Sequence, residues 1–221
     1  MKKIIIALFV SSLMFSSAQA IEYGVGVTGA LAFVKADGKE TETTNTGAEA
    51  SVRTASVDAM TPTASIYAEV VFPYITLGYE IVPMSADVTD KVIRRTDASV
   101  AAAGEGVIGT NNRDADAEVE NFQTFYAEVP LVGGFYVKAG ISKIDLNTLE
   151  TVPNNGGSYK NDTLDGVTYG AGVKGEIGGF TTKISGEVTN FDTYTALSGT
   201  TNKIQADLDM SQIKFSLGKQ F

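Results

Sequence analysis

Apolar and polar residues alternate along most of the chain, in segments that are separated by connections of alternately short and long length. In the first segment, Tyr23, Val25 and Val27 share one face of an extended strand, while Gly24 and Gly26 share the other. Alternation of this kind is typical of strands with one apolar face. The pattern predicts eight strands, over Glu22 to Lys35, Thr63 to Phe72, Tyr74 to Val82, Phe122 to Leu131, Phe135 to Asp145, Gly166 to Ile177, Phe180 to Asn190 and Ala206 to Phe221.

The connections between these segments follow a strict order. Pro73, Val132-Gly133-Gly134 and Gly178-Gly179 form three tight turns, and the four remaining connections are long and polar. An even number of strands with short turns at one rim and long loops at the other is typical of bacterial outer-membrane barrels. We therefore expect an all-β protein: an eight-stranded antiparallel up-and-down transmembrane β-barrel with three short periplasmic turns and four long extracellular loops.

The two strand faces differ in charge, which decides the direction in which each one points. A soluble calyx would turn its apolar face inward and expose charge outside. Here the charged residues share a face with Gly, Ser and Thr, and the opposite face is apolar. This distribution favours an apolar exterior in contact with lipid. Aromatic girdles are expected from residues beside the tight turns (Phe72, Phe135, Phe180 and Phe221) and from Tyr79, Phe125 and Tyr169 at the other rim.

The first twenty residues have the composition of a secretory signal peptide. Lys2 and Lys3 precede an apolar stretch from Ile4 to Phe15, and Ala18 and Ala20 provide a small-x-small cleavage site. The apolar stretch is too short for a membrane anchor, since about 20 residues are needed to cross a bilayer. We expect residues 1–20 to be the signal peptide and residues 21–221 to be the barrel, exported through the periplasm to the outer membrane.

Composition narrows the possible chemistry. The 221 residues include no Cys and no His, which excludes thiol nucleophiles, imidazole ligands and Ser-His catalysis. The net charge is -9 and becomes -11 once Lys2 and Lys3 are removed, so nucleic acid is a poor partner. These counts predict a protein that is not an enzyme and has no cofactor and no metal centre.

Nine charged residues lie on the polar face and are candidates for a salt-bridge network in the barrel lumen: Glu69, Glu80, Glu128, Lys138, Lys174, Glu176, Lys183, Glu187 and Lys214. Buried carboxylates and ammonium groups must pair, because desolvating either alone is costly. The network is either a structural plug or a charged constriction that selects solutes. The interior of an eight-stranded barrel is just wide enough for side chains to fill, which favours the plug.

Acidic residues recur at every second position in the longest connection, Asp87 to Asn121. If the strand of Phe122 continues upward, they share a face with Thr124, Tyr126 and Glu128; the four residues are Asp114, Asp116, Glu118 and Glu120. Such a row could hold a divalent cation through oxygen ligands. A solvated surface is the alternative interpretation, and the more common one for a run of charges.

The chain ends on an alternating segment that contains Ile213, Phe215 and Leu217 and finishes with Phe221. With this terminus and the eight-strand pattern, residues 21–221 resemble the small outer-membrane barrel families of the OmpA membrane-domain, OmpX and OmpW kind. The resemblance implies that these four residues act as the signal read by the barrel assembly machinery. No peptidoglycan-binding domain follows, so cell-wall anchoring is not expected.

These observations predict a non-enzymatic integral outer-membrane barrel that displays acidic surface loops for envelope structure, adhesion or surface interaction. Its expected partners are outer-membrane lipid, the assembly machinery and an extracellular ligand or divalent cation at the loops. A narrow porin-like channel for small or apolar solutes is the alternative.

Overall fold

The computed structural model describes residues 21–43, 49–87, 93–100, 107–151, 159–197 and 202–221. The strands are β1 (Glu22–Thr43), β2 (Glu49–Val71), β3 (Thr76–Val82), β4 (Ala86–Asp87), β5 (Ile93–Val100), β6 (Val107–Pro130), β7 (Phe135–Thr151), β8 (Asp162–Ile177), β9 (Phe180–Phe191), β10 (Tyr194–Leu197) and β11 (Lys203–Gln220). Among the described residues, no helix has the length and apolar character needed to cross a bilayer. The proposed leader, with Ala18 and Ala20, lies outside the described residues.

Eight of these strands form a closed antiparallel ring in the order β1, β2, β3, β6, β7, β8, β9 and β11, and β11 pairs back with β1. The ring confirms the predicted eight-stranded up-and-down barrel. At the closing pair, the backbone N–H groups of Tyr23 and Phe221 each donate to the other's carbonyl, at 3.2 and 2.9 Å. The last residue of the chain therefore completes the ring.

The three tight turns lie at one rim, as predicted. Phe72 N–H donates to the Ile75 carbonyl at 2.9 Å, and Leu131 N–H donates to the Phe135 carbonyl at 2.7 Å. The third turn has positive φ at both Gly178 and Gly179, the backbone that a two-residue hairpin loop requires.

The predicted long loops are shorter than expected, because several strands continue beyond the membrane. β1 runs to Thr43 and β2 begins at Glu49, so most of their connection is paired strand. The segment from Asp87 to Asn121, expected as the longest loop, contains β5 and the first half of β6 paired with each other. A cross-strand ladder supplies partners to backbone groups that a loop would leave to water.

A β-bulge in β6 reverses the two faces of that strand. Glu120 pairs with Asp145 and Gln123 pairs with Lys143, so Asn121 and Phe122 together oppose Ile144, and Asn121 adopts a φ of 52°. Below the bulge, Thr124 and Tyr126 are buried; above it, Val119 is buried while Glu118 and Glu120 are partly exposed. The expectation that Glu118 and Glu120 share a face with Thr124, Tyr126 and Glu128 is wrong for this reason. The side chains of Asp114 and Asp116 lie outside the described part of the structure.

The exterior carries a belt of large exposed apolar side chains, including Val25, Val27, Phe125, Ile141, Val167, Ile184, Ile213 and Phe215. Phe135, Phe180 and Phe221 are exposed beside the tight turns, and Tyr79, Phe125 and Tyr169 are exposed further up. Hydrocarbon is the solvent that such a surface requires.

Candidate functional site: the barrel lumen

A closed ring of four ion pairs crosses the centre of the lumen. Lys138 Nζ lies 2.9 Å from Glu187 Oε1 and 3.3 Å from Glu80 Oε2. Lys214 Nζ lies 2.9 Å from Glu80 Oε2 and 3.0 Å from Glu187 Oε2. Two ammonium groups thus bridge the same two carboxylates, and the quartet is formally neutral. Its members come from β3, β7, β9 and β11, so it ties opposite walls of the barrel together.

Lys183 forms a second cluster with two carboxylates. Its ammonium is 2.9 Å from Glu128 Oε2 and also donates to Glu69 Oε1. Tyr126 donates its hydroxyl proton to the same Glu69 oxygen at 2.8 Å. One ammonium therefore serves two carboxylates, and a phenol supplies a further donor. All seven charged residues of the quartet and this triad are buried.

Two of the nine predicted lumen charges stand apart from the network. Lys174 is partly exposed and Glu176 is exposed, both near the end of β8 beside the Gly178-Gly179 turn. Within the described residues, the structure shows an ion pair for neither of them. Lys174 is directly opposite Lys183 on β9, yet only Lys183 reaches the carboxylates. Alternation indicates which face a residue occupies, but not which charged groups its side chain reaches.

Three lumen tyrosines lie flat over glycines of neighbouring strands. A Cβ at Gly78 would clash with the Tyr126 ring, and one at Gly172 would lie 2.7 Å from the Tyr136 ring. Tyr67 occupies the space beside Gly26 in the same way. The rings contact the ammonium groups, and Lys138 Nζ is 3.9 Å from the centroid of Tyr126. Gly78 is therefore required by the tyrosine ring, whereas a Cβ at Gly26 or Gly172 would meet a backbone carbonyl of the next strand as well as the ring.

Hydroxyl groups form a belt next to the charged network. Thr124, Ser142, Thr168 and Thr189 are joined by hydrogen bonds of 2.9, 2.5 and 2.7 Å across four adjacent strands. Thr28 and Ser216 pair at 2.8 Å on the other side of the barrel. All six residues are buried, so the belt gives these hydroxyl groups hydrogen-bond partners within the protein.

The extracellular half of the lumen is apolar, which the sequence analysis did not predict. Eleven buried residues pack into one cluster there: Ala32, Val34, Val82, Val119, Phe122, Ile144, Leu146, Leu164, Tyr194, Leu208 and Met210. The sequence carries a signal for it, because apolar residues such as Val34 and Met210 occupy positions on the otherwise polar face.

Residues 159–161 lie on the extracellular side of the apolar cluster and connect strands across the lumen. Tyr159 donates its hydroxyl proton to Glu40 of β1 at 2.9 Å, and Tyr194 donates to the Lys160 carbonyl at 2.6 Å. The Asn161 side chain accepts from the Thr148 N–H at 3.0 Å. This segment therefore links β7 to strands on the far side of the lumen.

The free space among the charged side chains is small. A cavity of about 10 Å³ lies between the tyrosines, the quartet and Lys183. That volume is at the lower limit for one water molecule. Ion pairs, hydroxyl groups and an apolar cluster thus fill successive levels of the lumen along the barrel axis.

Charged residues replace apolar ones on the outer face where the belt ends. Lys35 Nζ donates to Asp37 at 2.7 Å, and Lys143 lies 3.3 Å from Asp165. Hydrogen bonds from Lys35 and Ser56 lower the pKa of Asp37, and hydrogen bonds from Asn121 and Thr163 lower the pKa of Asp145. This level marks the outer boundary of the membrane. Among the described residues, no three acidic side chains meet in a geometry that could hold a metal ion.

A closed antiparallel barrel with an apolar exterior and a polar network inside defines the class: the protein is a small transmembrane β-barrel of the bacterial outer membrane.

No family model and no curated protein matches the sequence. Several solved structures have a similar fold, including the three that follow. Neisserial surface protein A is 9% identical, with 89% of this chain and 97% of that chain covered and a TM-score of 0.44. The attachment invasion locus protein Ail of Yersinia pestis is 10% identical (89% and 100% covered, TM-score 0.40), and the outer-membrane protease OmpT of Escherichia coli is 8% identical (93% and 99%, TM-score 0.48).

Proposed function

We propose that this protein is a non-conducting, non-enzymatic scaffold that presents its extracellular strand extensions and loops for contact with a ligand outside the cell. The observation that carries the proposal is the filling of the lumen at three successive levels. Ions cannot cross an apolar cluster without losing their hydration, which is costly. The charged network alone would have been compatible with a selective pore.

The extracellular part supports a role in display. β1, β2, β6 and β7 all continue past the charged boundary, so ordered sheet stands above the membrane. Exposed carboxylates at this level include Asp37, Asp58, Asp165 and Asp209. We propose that these carboxylates bind a basic surface, or an acidic surface through bridging cations, in adhesion or in envelope structure.

Conductance separates the scaffold from the narrow pore. Purified, refolded protein in a planar bilayer is expected to give no stable single-channel steps, because ion pairs, hydroxyl groups and an apolar cluster fill the lumen of the described barrel. Replacing Leu146 and Met210 of the apolar cluster with serine provides the comparison, since polar side chains there favour wetting. Reproducible steps from the unmodified chain would overturn the scaffold and favour the pore.

We also propose that the barrel assembly machinery recognises the terminal strand of Ile213, Phe215, Leu217 and Phe221, whose side chains all face outward. Deleting Phe221 removes the final aromatic group and both hydrogen bonds to Tyr23. We expect a lower level of folded protein in the outer membrane, measured by membrane fractionation and by the gel mobility of unboiled samples. Phe221→Leu, which keeps the backbone pair, is the control for ring closure. Equal levels for the deletion and the unmodified chain would refute recognition of this residue.

A further inference from the structure

The ladder between β2 and β3 stops part of the way up the barrel wall. It runs from Val71–Thr76 to Ile66–Ile81. Above this point, β2 pairs only with β1 in the described residues, while the chain after β3 turns to pair with β6 through β4. We call the boundary between residues 59–65 and residues 82–86 the seam.

Two prolines explain why pairing ends there. The hydrogen bond from Phe72 N–H to Ile75 identifies the hydrogen-bonded pairs of this ladder, which recur at every second residue. Continuing the register would place Ala64 opposite Pro83 and Pro62 opposite Ser85. Proline has no N–H, so each of these two successive pairs lacks one of its donors. The ladder therefore ends at the last pair that can form both bonds.

The lower part of the seam lies within the apolar belt. On β1 the outward residues are apolar up to Phe33, and Lys35, which follows, pairs with Asp58 of β2. Met60 and Ile66 are therefore below the charged boundary, with 58% and 55% of their surface exposed. Met84, on the other side of the seam, is 50% exposed.

An open strand edge at this level is costly, because hydrocarbon cannot hydrogen-bond to backbone groups. The loss of two N–H donors reduces that cost, but the carbonyl groups of Pro62 and Ala64 have no β3 partner among the described residues. No charged side chain borders the seam between Asp58 and Ile66 on β2, and buried Ala59, Val82 and Phe122 lie on the inner side. The seam is also continuous with the belt that contacts lipid.

We propose that the seam binds one acyl chain of a membrane lipid, with the polar head-group region beside the unpaired carbonyl groups at its upper end. The chain lies against Met60, Ile66 and Met84. The interior behind the seam is packed, so this is a docking site and not a passage into the lumen. This site is separate from the proposed display function.

Native mass spectrometry tests the proposal. The full mature protein is reconstituted in vesicles of phosphatidylethanolamine and phosphatidylglycerol and then released into detergent. We expect one phospholipid to stay bound. Pro62→Thr with Pro83→Thr restores both donors, so the ladder can close over the site and the lipid-bound fraction should fall about tenfold. Slower amide exchange at Ala64 would report that closure.

The control is Pro130→Thr, a strand proline whose ladder with β7 is intact at Tyr136; it should retain lipid like the unmodified chain. If the double-proline variant does not fold, Met60→Ser with Met84→Ser makes the border polar without altering the ladder and should also release the lipid. Unmodified protein free of lipid, equal retention after closure, or a second copy of the chain in place of lipid would each overturn the proposal.

Discussion

Replacing Lys183 with methionine is expected to destabilise the barrel by about 3–5 kcal/mol. The change removes the ammonium group that joins Glu69 and Glu128, and both carboxylates stay buried. Urea unfolding in lipid vesicles, followed by the gel mobility of unboiled samples, measures the loss.

Two further variants separate loss of pairing from loss of a lysine side chain. Lys174→Met is the matched control, because Lys174 is directly opposite Lys183 but forms no ion pair within the described structure; its effect should stay within about 0.5 kcal/mol. Adding Glu69→Gln and Glu128→Gln to Lys183→Met removes the unpaired charges and should recover part of the stability. Equal losses in Lys174→Met and Lys183→Met would contradict a role for the triad.

Substituting Gly78 with alanine is expected to cost about 1–3 kcal/mol through overpacking. The new Cβ would clash with the Tyr126 ring, which also contacts the Lys138 ammonium and donates its hydroxyl proton to Glu69. The ring cannot move away without breaking those contacts. The same unfolding experiment measures the change.

Gly29 and Gly186 are the matched controls for this prediction. Both face outward in the same strand geometry, and a Cβ at either would meet nothing within 4 Å. Their alanine variants should be close to neutral. A double-mutant cycle with Tyr126→Ala should show that Gly78→Ala costs much less once the ring is gone. Equal costs with and without the ring would mean that the tyrosine does not require the glycine.

The ring and its turns could be predicted because a strand buries every second residue and each turn has a local signature, such as Gly178-Gly179. The pairing of Lys183 but not Lys174 could not be predicted, because alternation places both on the inner face and does not tell which of them reaches the carboxylates of other strands. The bulge at Asn121 could not be predicted either. One extra residue in β6 exchanges the inward-facing and outward-facing positions of the part of the strand above it.

The apolar cluster has a sequence signal of a different kind. On β1, the outward series passes from Phe33 to Lys35 while the inward series passes from Thr28 to Ala32 and Val34. The two faces therefore exchange polarity near the outer membrane boundary. The prediction from sequence assigned one polarity to each face along the whole strand and therefore did not include this exchange. The exchange marks the level at which the exterior passes from lipid to water.

The pairing of Tyr23 with Phe221 also bears on how fast the barrel forms. Each of the three turn hairpins joins residues that are neighbours in sequence, whereas the closing ladder joins residues that are far apart in the sequence, such as Gly24 and Gln220. Contacts between distant residues form slowly, because the intervening chain must lose entropy before they stabilise anything. Hairpin formation should therefore come early, and closure of β1 on β11 should limit the rate of folding.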